Sequence, residues 1–121
     1  MKFLVVDDSR AMRQIVMRTM RMAGFDGHTF EQAANGREAM EMVKESQPDF
    51  VLSDWNMPEM NGYEFLCALR ESEIDVRFGF VTSEGTPEMR AKAREAGALF
   101  LIAKPFTPDS FRTTLSEALE S

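Results

Sequence analysis

Short apolar runs without polar alternation, each followed by a segment of helical period, constrain this chain more than any other feature. The runs Phe3-Leu4-Val5-Val6, Phe50-Val51-Leu52, Phe78-Gly79-Phe80-Val81 and Leu99-Phe100-Leu101-Ile102 have the pattern of parallel strands covered on both faces. A weaker run from His28 to Ala33 supplies a fifth strand. Between the runs, helical spacing joins Met12, Ile15, Val16, Thr19 and Ala23, then Ala39, Met40 and Val43, then Phe65, Leu66 and Leu69. Met89, Ala93 and Ala96 give a fourth helix, and Phe111, Leu115 and Ala118 a fifth. Asn35 with Glu38 and Asn61 with Glu64 fit helix caps in which side chains satisfy free amides. Thr86-Pro87 and Thr107-Pro108 mark two further starts, and Gly24 and Gly97 the matching stops.

Five strands alternating with five helices predict an α/β fold, a doubly wound parallel sheet with right-handed crossovers and helices on both faces. At 121 residues the chain is expected to be one domain, residues 1–121, with one site. Open sheets of this kind carry their sites at the carboxyl ends of the strands.

At that edge the sequence puts Asp7-Asp8 after the first strand, Asp54 after the third, Thr82 after the fourth and Lys104-Pro105 after the fifth. Three carboxylates brought together repel one another unless protons or a cation compensate. With oxygen ligands only, Mg²⁺ is favoured over zinc, and His28 and Cys67, the only histidine and cysteine, cannot build a zinc site. A carboxylate beside Mg²⁺ and the Lys104 ammonium can act as a nucleophile on phosphorus, because both cations neutralise the transferring oxygens. Thr82 offers a hydroxyl to a phosphoryl oxygen and so can report its arrival. Taken singly, each residue has a bland role as a helix cap or a solvated charge; five of them at one sheet edge point to a site.

The charge of 14 basic and 20 acidic residues, net −6, argues against direct nucleic-acid binding. No apolar run approaches the roughly 18 residues of a membrane span. The expectation is therefore a soluble, cytoplasmic protein without membrane insertion. His28 reads as a strand-edge residue and Cys67 as a small core residue, while most of the ten methionines read as core packing. Trp55 is expected to be partly exposed beside the site.

These residues closely resemble the receiver domains of two-component response regulators, over the chain from Lys2 to the last helix. Val5-Val6-Asp7-Asp8-Ser9 and Asp54-Trp55-Asn56-Met57-Pro58-Glu59-Met60-Asn61-Gly62 are similar to the family's acidic and phosphoacceptor motifs, and Thr82 and Lys104-Pro105-Phe106 complete the set. The Asp54 motif most resembles the chemotaxis (CheY-like) type. The resemblance implies a flavodoxin-like sheet of order 2-1-3-4-5. It implies phosphorylation of Asp54 by a sensor histidine kinase or a small phosphodonor, with Mg²⁺ held by Asp8, Asp54 and the Asn56 backbone carbonyl, and by Asp7 through water. Thr82 and Lys104 would grip the phosphoryl oxygens, Lys104-Pro105 would be cis, and Asn56 and Glu84 would tune dephosphorylation. The expected output surface is the fourth helix, fifth strand and fifth helix, read by a downstream protein, with a phosphatase a further partner.

One position departs from the family pattern. Where many receivers carry an aromatic switch residue, three positions before the lysine, this chain has Leu101, with Phe100 beside it on what strand alternation makes the opposite face. Other functions fit less well. A phosphohydrolase would need a substrate-covering insertion, for which no loop is long enough, and Asp7-Asp8 would repel a flavin phosphate. The protein is expected to catalyse only its own phosphotransfer and dephosphorylation. A free-standing chemotaxis-type regulator is the leading expectation, with a receiver cut from a larger regulator, or a degenerate receiver that signals without phosphorylation, as alternatives.

Overall fold

Each apolar run forms a strand, and the polar residues that end it mark where the chain leaves the sheet. In the computed structural model, which describes residues 1–120, the strands are β1 (Lys2–Val6), β2 (Thr29–Ala33), β3 (Phe50–Ser53), β4 (Arg77–Thr82) and β5 (Phe100–Ala103). All pairs are parallel, in the order β2-β1-β3-β4-β5. The helices are α1 (Arg10–Met20), α2 (Gly36–Ser46), α3 (Gly62–Glu71), α4 (Pro87–Glu95) and α5 (Pro108–Glu120), and a π-helical turn over Arg21–Phe25 extends α1. This is the doubly wound flavodoxin-like fold expected from the sequence.

The caps form where the chain chemistry placed them. Asn35 accepts from the Glu38 amide, and at Asn61 both halves of the reciprocal cap are made. Thr86 accepts from Met89 ahead of Pro87. Thr107 and Ser110 exchange side-chain-to-amide bonds at the start of α5. Gly24 and Gly97 take positive φ, 105° and 100°, where the chain leaves helical geometry.

Alternation along the strands divides the core in two. Leu4, Val6, Val51, Phe78, Phe80 and Leu101 face α2, α3 and α4, while Phe3, Val5, Phe50, Leu52, Val81 and Ile102 face α1 and α5. Six phenylalanines, Phe3, Phe50, Phe65, Phe78, Phe80 and Phe111, are fully buried, each contributing about 1.5–3 kcal/mol by burial.

Three expectations need correction. Ile15 is exposed, because the inward stripe of α1 runs through Val16, Met17 and Met20. Leu99 is also exposed and precedes β5, so the strand begins at Phe100 and ends at Ala103. Cys67 is half-buried rather than core, since Phe65, Leu66 and Leu69 take the inward positions of α3. His28 lies one residue ahead of β2, edge-on to Phe3 at 5.6 Å, with Nδ1 3.0 Å from the terminal amine. Most methionines do pack inward, although Met1 and Met22 are exposed.

Gly79 is required by packing. It pairs with Phe100 across β4 and β5, and a Cβ there would lie 2.2 Å from Cζ of the Phe100 ring, which also stacks on Phe50. Gly79→Ala is therefore expected to destabilise the protein by about 1–3 kcal/mol in urea unfolding. Adding Phe100→Leu should recover part of that loss, and strictly additive effects of the two changes would show that the ring contact is not the cause.

Candidate functional site

The backbone of the sheet brings the acidic residues together. The Asp54 amide donates to the Val6 carbonyl at 2.9 Å, extending the β1–β3 pairing by one step, so Asp54 emerges beside Asp7. The Asp7 amide donates to Ala33 on the other side at 3.1 Å. One carboxylate oxygen from each of Asp7, Asp8 and Asp54 lies within 4.8 Å of the others. Asp7 is buried, Asp54 half-buried and Asp8 exposed, so the cluster opens from the core toward solvent.

Each acidic side chain is positioned by its neighbours. Asp7 accepts from the Ser9 amide at 2.9 Å, while Ser9 caps α1 by accepting from Met12. The Arg13 guanidinium donates to the Asp7 carbonyl at 2.6 Å and to Gln32 on β2 at 3.0 Å, fixing the β1–α1 turn. The Asp54 carboxylate accepts from the Trp55 amide at 2.8 Å, and Ser53 donates its hydroxyl to the Asp54 carbonyl. Gly62 starts α3 against this turn, donating to Trp55 at 2.8 Å; a Cβ on Gly62 would meet the Asp54 carbonyl oxygen at 2.1 Å.

Burial pushes the Asp7 carboxyl up to about 6; the Ser9 hydrogen bond opposes the shift, and the Asp54 and Asp8 charges reinforce it. Burial also raises Asp54, against the Trp55 and Asn56 amides, the Thr82 hydroxyl and the Lys104 charge, all of which favour the ionised form. Thr82 is fully buried, and its hydroxyl oxygen accepts from the Glu84 amide at 3.4 Å.

The other expected site residues surround the cluster. Lys104 follows β5, its amide bonded to the Thr82 carbonyl and its peptide bond to Pro105 cis. Its ammonium lies 3.2 Å from the Met12 thioether, and among the described residues no ion pair links it to Asp54. Asn56 and Glu84 are exposed on the two loops flanking the cluster. Leu101 is buried on the α4 side and Phe100 faces the α1 and α5 side, with no bulge in the register. Trp55 is half-buried, stacked on Tyr63 and tilted against Phe80.

Arg13 was not singled out by sequence reasoning, and Met12 and Ser9 entered it only as an apolar helix position and as the end of the acidic motif. Only Ser9 carried a signal, as a capping residue just ahead of a helical pattern. The contacts of Met12 and Arg13 depend on how α1 is rotated over the strand ends.

The donor set suits a hard divalent cation. Three carboxylates converge, the deepest is held back from ionising by burial and its neighbours, and no nitrogen or sulfur ligand is among them.

Comparison with known proteins gives a consistent outcome. A family model described as "Response regulator receiver domain" matches residues 3–116. Chemotaxis protein CheY-3 of Vibrio cholerae serotype O1 is 36% identical over 122 residues, spanning 99% of this chain and 92% of that protein. A chemotaxis protein CheY homolog of Campylobacter jejuni is 38% identical over 122 residues, spanning 98% and 92%. The solved structure of chemotaxis response regulator CheY4 of Vibrio cholerae superposes with a TM-score of 0.83 at 36% identity over 97% of each chain.

The raised carboxyls have a consequence for stability. Between its ordinary value of 3.8 and about 6, Asp7 binds more protons folded than unfolded. Its contribution is therefore present at low pH and lost as pH rises through that window, and Asp54 acts in the same direction. In chelator-treated protein, Asp7→Asn is expected to be increasingly more stable than wild type as pH rises from about 4 to about 7 by thermal unfolding. A divalent cation that binds the ionised cluster of the wild type should narrow that difference at neutral pH. A difference that stays constant with pH would show that Asp7 carries no such burden.

Proposed function

The chain belongs to the response-regulator receiver family, whose CheY-like members are signalling proteins rather than classical enzymes, and from that premise we propose that Asp54 is its phosphoacceptor. The observation that carries this is the convergence of Asp7, Asp8 and Asp54 at the strand ends, within 4.8 Å. We propose that the cation is Mg²⁺, held by Asp8, Asp54 and the Asn56 carbonyl, and by Asp7 through a water molecule. When bound, it supplies positive charge against the phosphoryl oxygens.

An ionised Asp54 oxygen attacks phosphorus as the bond from phosphorus to the donor nitrogen breaks. The electron pair leaves with that nitrogen, which takes a proton; the donor is a phosphohistidine of a sensor histidine kinase or a small phosphoramidate. Asp7 keeps the cluster anionic enough to hold the cation. Lys104 swings from Met12 to pair with a phosphoryl oxygen, and Thr82 turns its hydroxyl from Asp54 and the Glu84 amide to a second one. In the return reaction water attacks phosphorus, inorganic phosphate leaves, and the Asp54 carboxylate is restored. Exposed Asn56 and Glu84 flank that approach and tune its rate.

The signal is carried to the α4, β5 and α5 surface, where Leu101 lies buried on β5 on the α4 side, and is read by a downstream partner; a phosphatase is a further partner. The motif around Asp54 favours a chemotaxis-type kinase. We place the protein in the cytoplasm as a single receiver domain; no helix among the described residues is long and apolar enough to cross a membrane.

The test is to incubate protein with phosphoramidate, quench in acid and measure intact mass. Wild type with Mg²⁺ is expected to gain one phosphoryl group, and Asp54→Asn or metal-free protein none. Lys104→Ala should slow uptake by about 10²-fold, the usual cost of one missing charge-stabilising group. No adduct in any sample, with Trp55 fluorescence unmoved by Mg²⁺, would overturn the proposal in favour of a degenerate receiver.

A further inference from the structure

The α4 helix is the most loosely anchored element near the site. Ala93 is its only buried residue, whereas α5 buries Phe111, Leu115 and Ala118. A groove of about 210 Å³ runs between α4 and β5, lined by Arg90, Ala93, Leu99 and Leu101 among others. Such thin apolar contact gives polar tethers unusual weight in fixing where α4 sits.

Arg90 supplies such a tether. Its Nε donates to the Gly85 carbonyl at 3.4 Å, and its Nη1 to the Leu101 carbonyl on β5 at 3.0 Å. One guanidinium therefore joins the β4–α4 loop to the neighbouring strand. Gly85 is seated on that strand as well: a Cβ there would lie 2.9 Å from Ala103 Cβ, 3.0 Å from Arg90 Nη2 and 3.3 Å from Leu101 Cδ2. The loop begins at Thr82, whose hydroxyl oxygen accepts from the Glu84 amide, one residue before Gly85. The Leu101 side chain has no polar atom with which to follow that loop, so beyond the backbone bond from Lys104 to Thr82 the side-chain polar connection from the loop to β5 passes through Arg90.

We propose that Arg90 is a positioning residue that couples occupancy at Asp54 to β5 and α4, through the Gly85 and Leu101 carbonyls. The proposal rests on Asp54 being the phosphoacceptor. When Thr82 turns toward a phosphoryl oxygen, the Glu84 amide loses its partner and the loop shifts. The long bond to Gly85 is the first to change, and the rigid fork carries the change to Leu101. A lysine keeps the charge but lacks the planar fork that spans two carbonyls.

The test uses backbone amide NMR of wild type, Arg90→Ala and Arg90→Lys, before and after beryllofluoride with Mg²⁺, a stable mimic of the phosphoryl group. Uptake is followed in parallel with phosphoramidate and intact mass. In wild type the amides of Gly85 and of Leu101 through Ala103 should all shift. In both variants Gly85 should still respond, while the β5 shifts fall to about half or less, which is the signature of lost coupling between two sites. Unfolding midpoints close to wild type would exclude a general loss of structure, as Arg90 is exposed. Full β5 shifts in both variants would overturn the role of Arg90 while leaving Asp54 intact. Absence of an adduct on wild type would instead remove the phosphoacceptor premise, and the coupling with it.

Discussion

Everything at the functional edge depends on parallel pairing of β1 with β3, which carries Asp54 to Asp7 whatever their charges prefer. Two unit charges at the 4.8 Å outer limit of this cluster repel by roughly 3–4 kcal/mol at the effective dielectric of a protein surface. Burial of the six core phenylalanines alone contributes more than twice that, at about 1.5–3 kcal/mol each, so the fold wins and the repulsion remains in the site. Burial raises both the Asp7 and Asp54 carboxyls, and at Asp7 the neighbouring Asp54 and Asp8 charges add to the shift. A cation or a proton relieves the repulsion, which makes the acidic edge receptive to a divalent metal before any phosphoryl group arrives.

The same pairing explains why so much was legible in the sequence. Strands covered on both faces are apolar almost throughout, so Phe3–Val6 and Phe50–Leu52 were visible as runs, and the acidic residues beyond them, Asp7 directly and Asp54 after the buried Ser53, had to be at the edge. Helix starts were visible because Asn61 and Thr86 have to satisfy free amides. The phase of a helix was less visible. In α1 both Ile15 and Val16 fit an apolar stripe, and only the position of β1, β3 and α5 around the helix decides that Met17 turns inward and Ile15 outward. The contact of Lys104 with Met12 was hidden for the same reason: it joins residues 92 positions apart through the docking of α1 on the sheet edge.

Phe100, Gly79 and Leu101 show how one pair of neighbouring positions sets both halves of the core. Strand alternation sends Phe100 to the α1 and α5 side, where its ring needs the missing Cβ of Gly79 and the face of Phe50. That ring stiffens the side of the sheet on which α5 is already anchored by Phe111 and Leu115. Leu101, on the other side, is left to fill the space under α4 with four carbons and a groove beside it.

The result is a sheet with one firm face and one yielding face. Signals need a yielding face, because an element held by many buried contacts costs more to displace than a single phosphoryl group can supply. Ala93 is the only fully buried residue of α4, with Met89 packed beside it, so its position leans on the polar links from Arg90 to the Gly85 and Leu101 carbonyls. Thr82 is at the base of the same loop, fully buried, so the least anchored of the described helices begins five residues after the hydroxyl that faces Asp54. The proposed output face there fits the distribution of apolar residues along the chain, since α5 is anchored by Phe111 and Leu115 whereas α4, in which charged residues outnumber apolar ones, buries only Ala93.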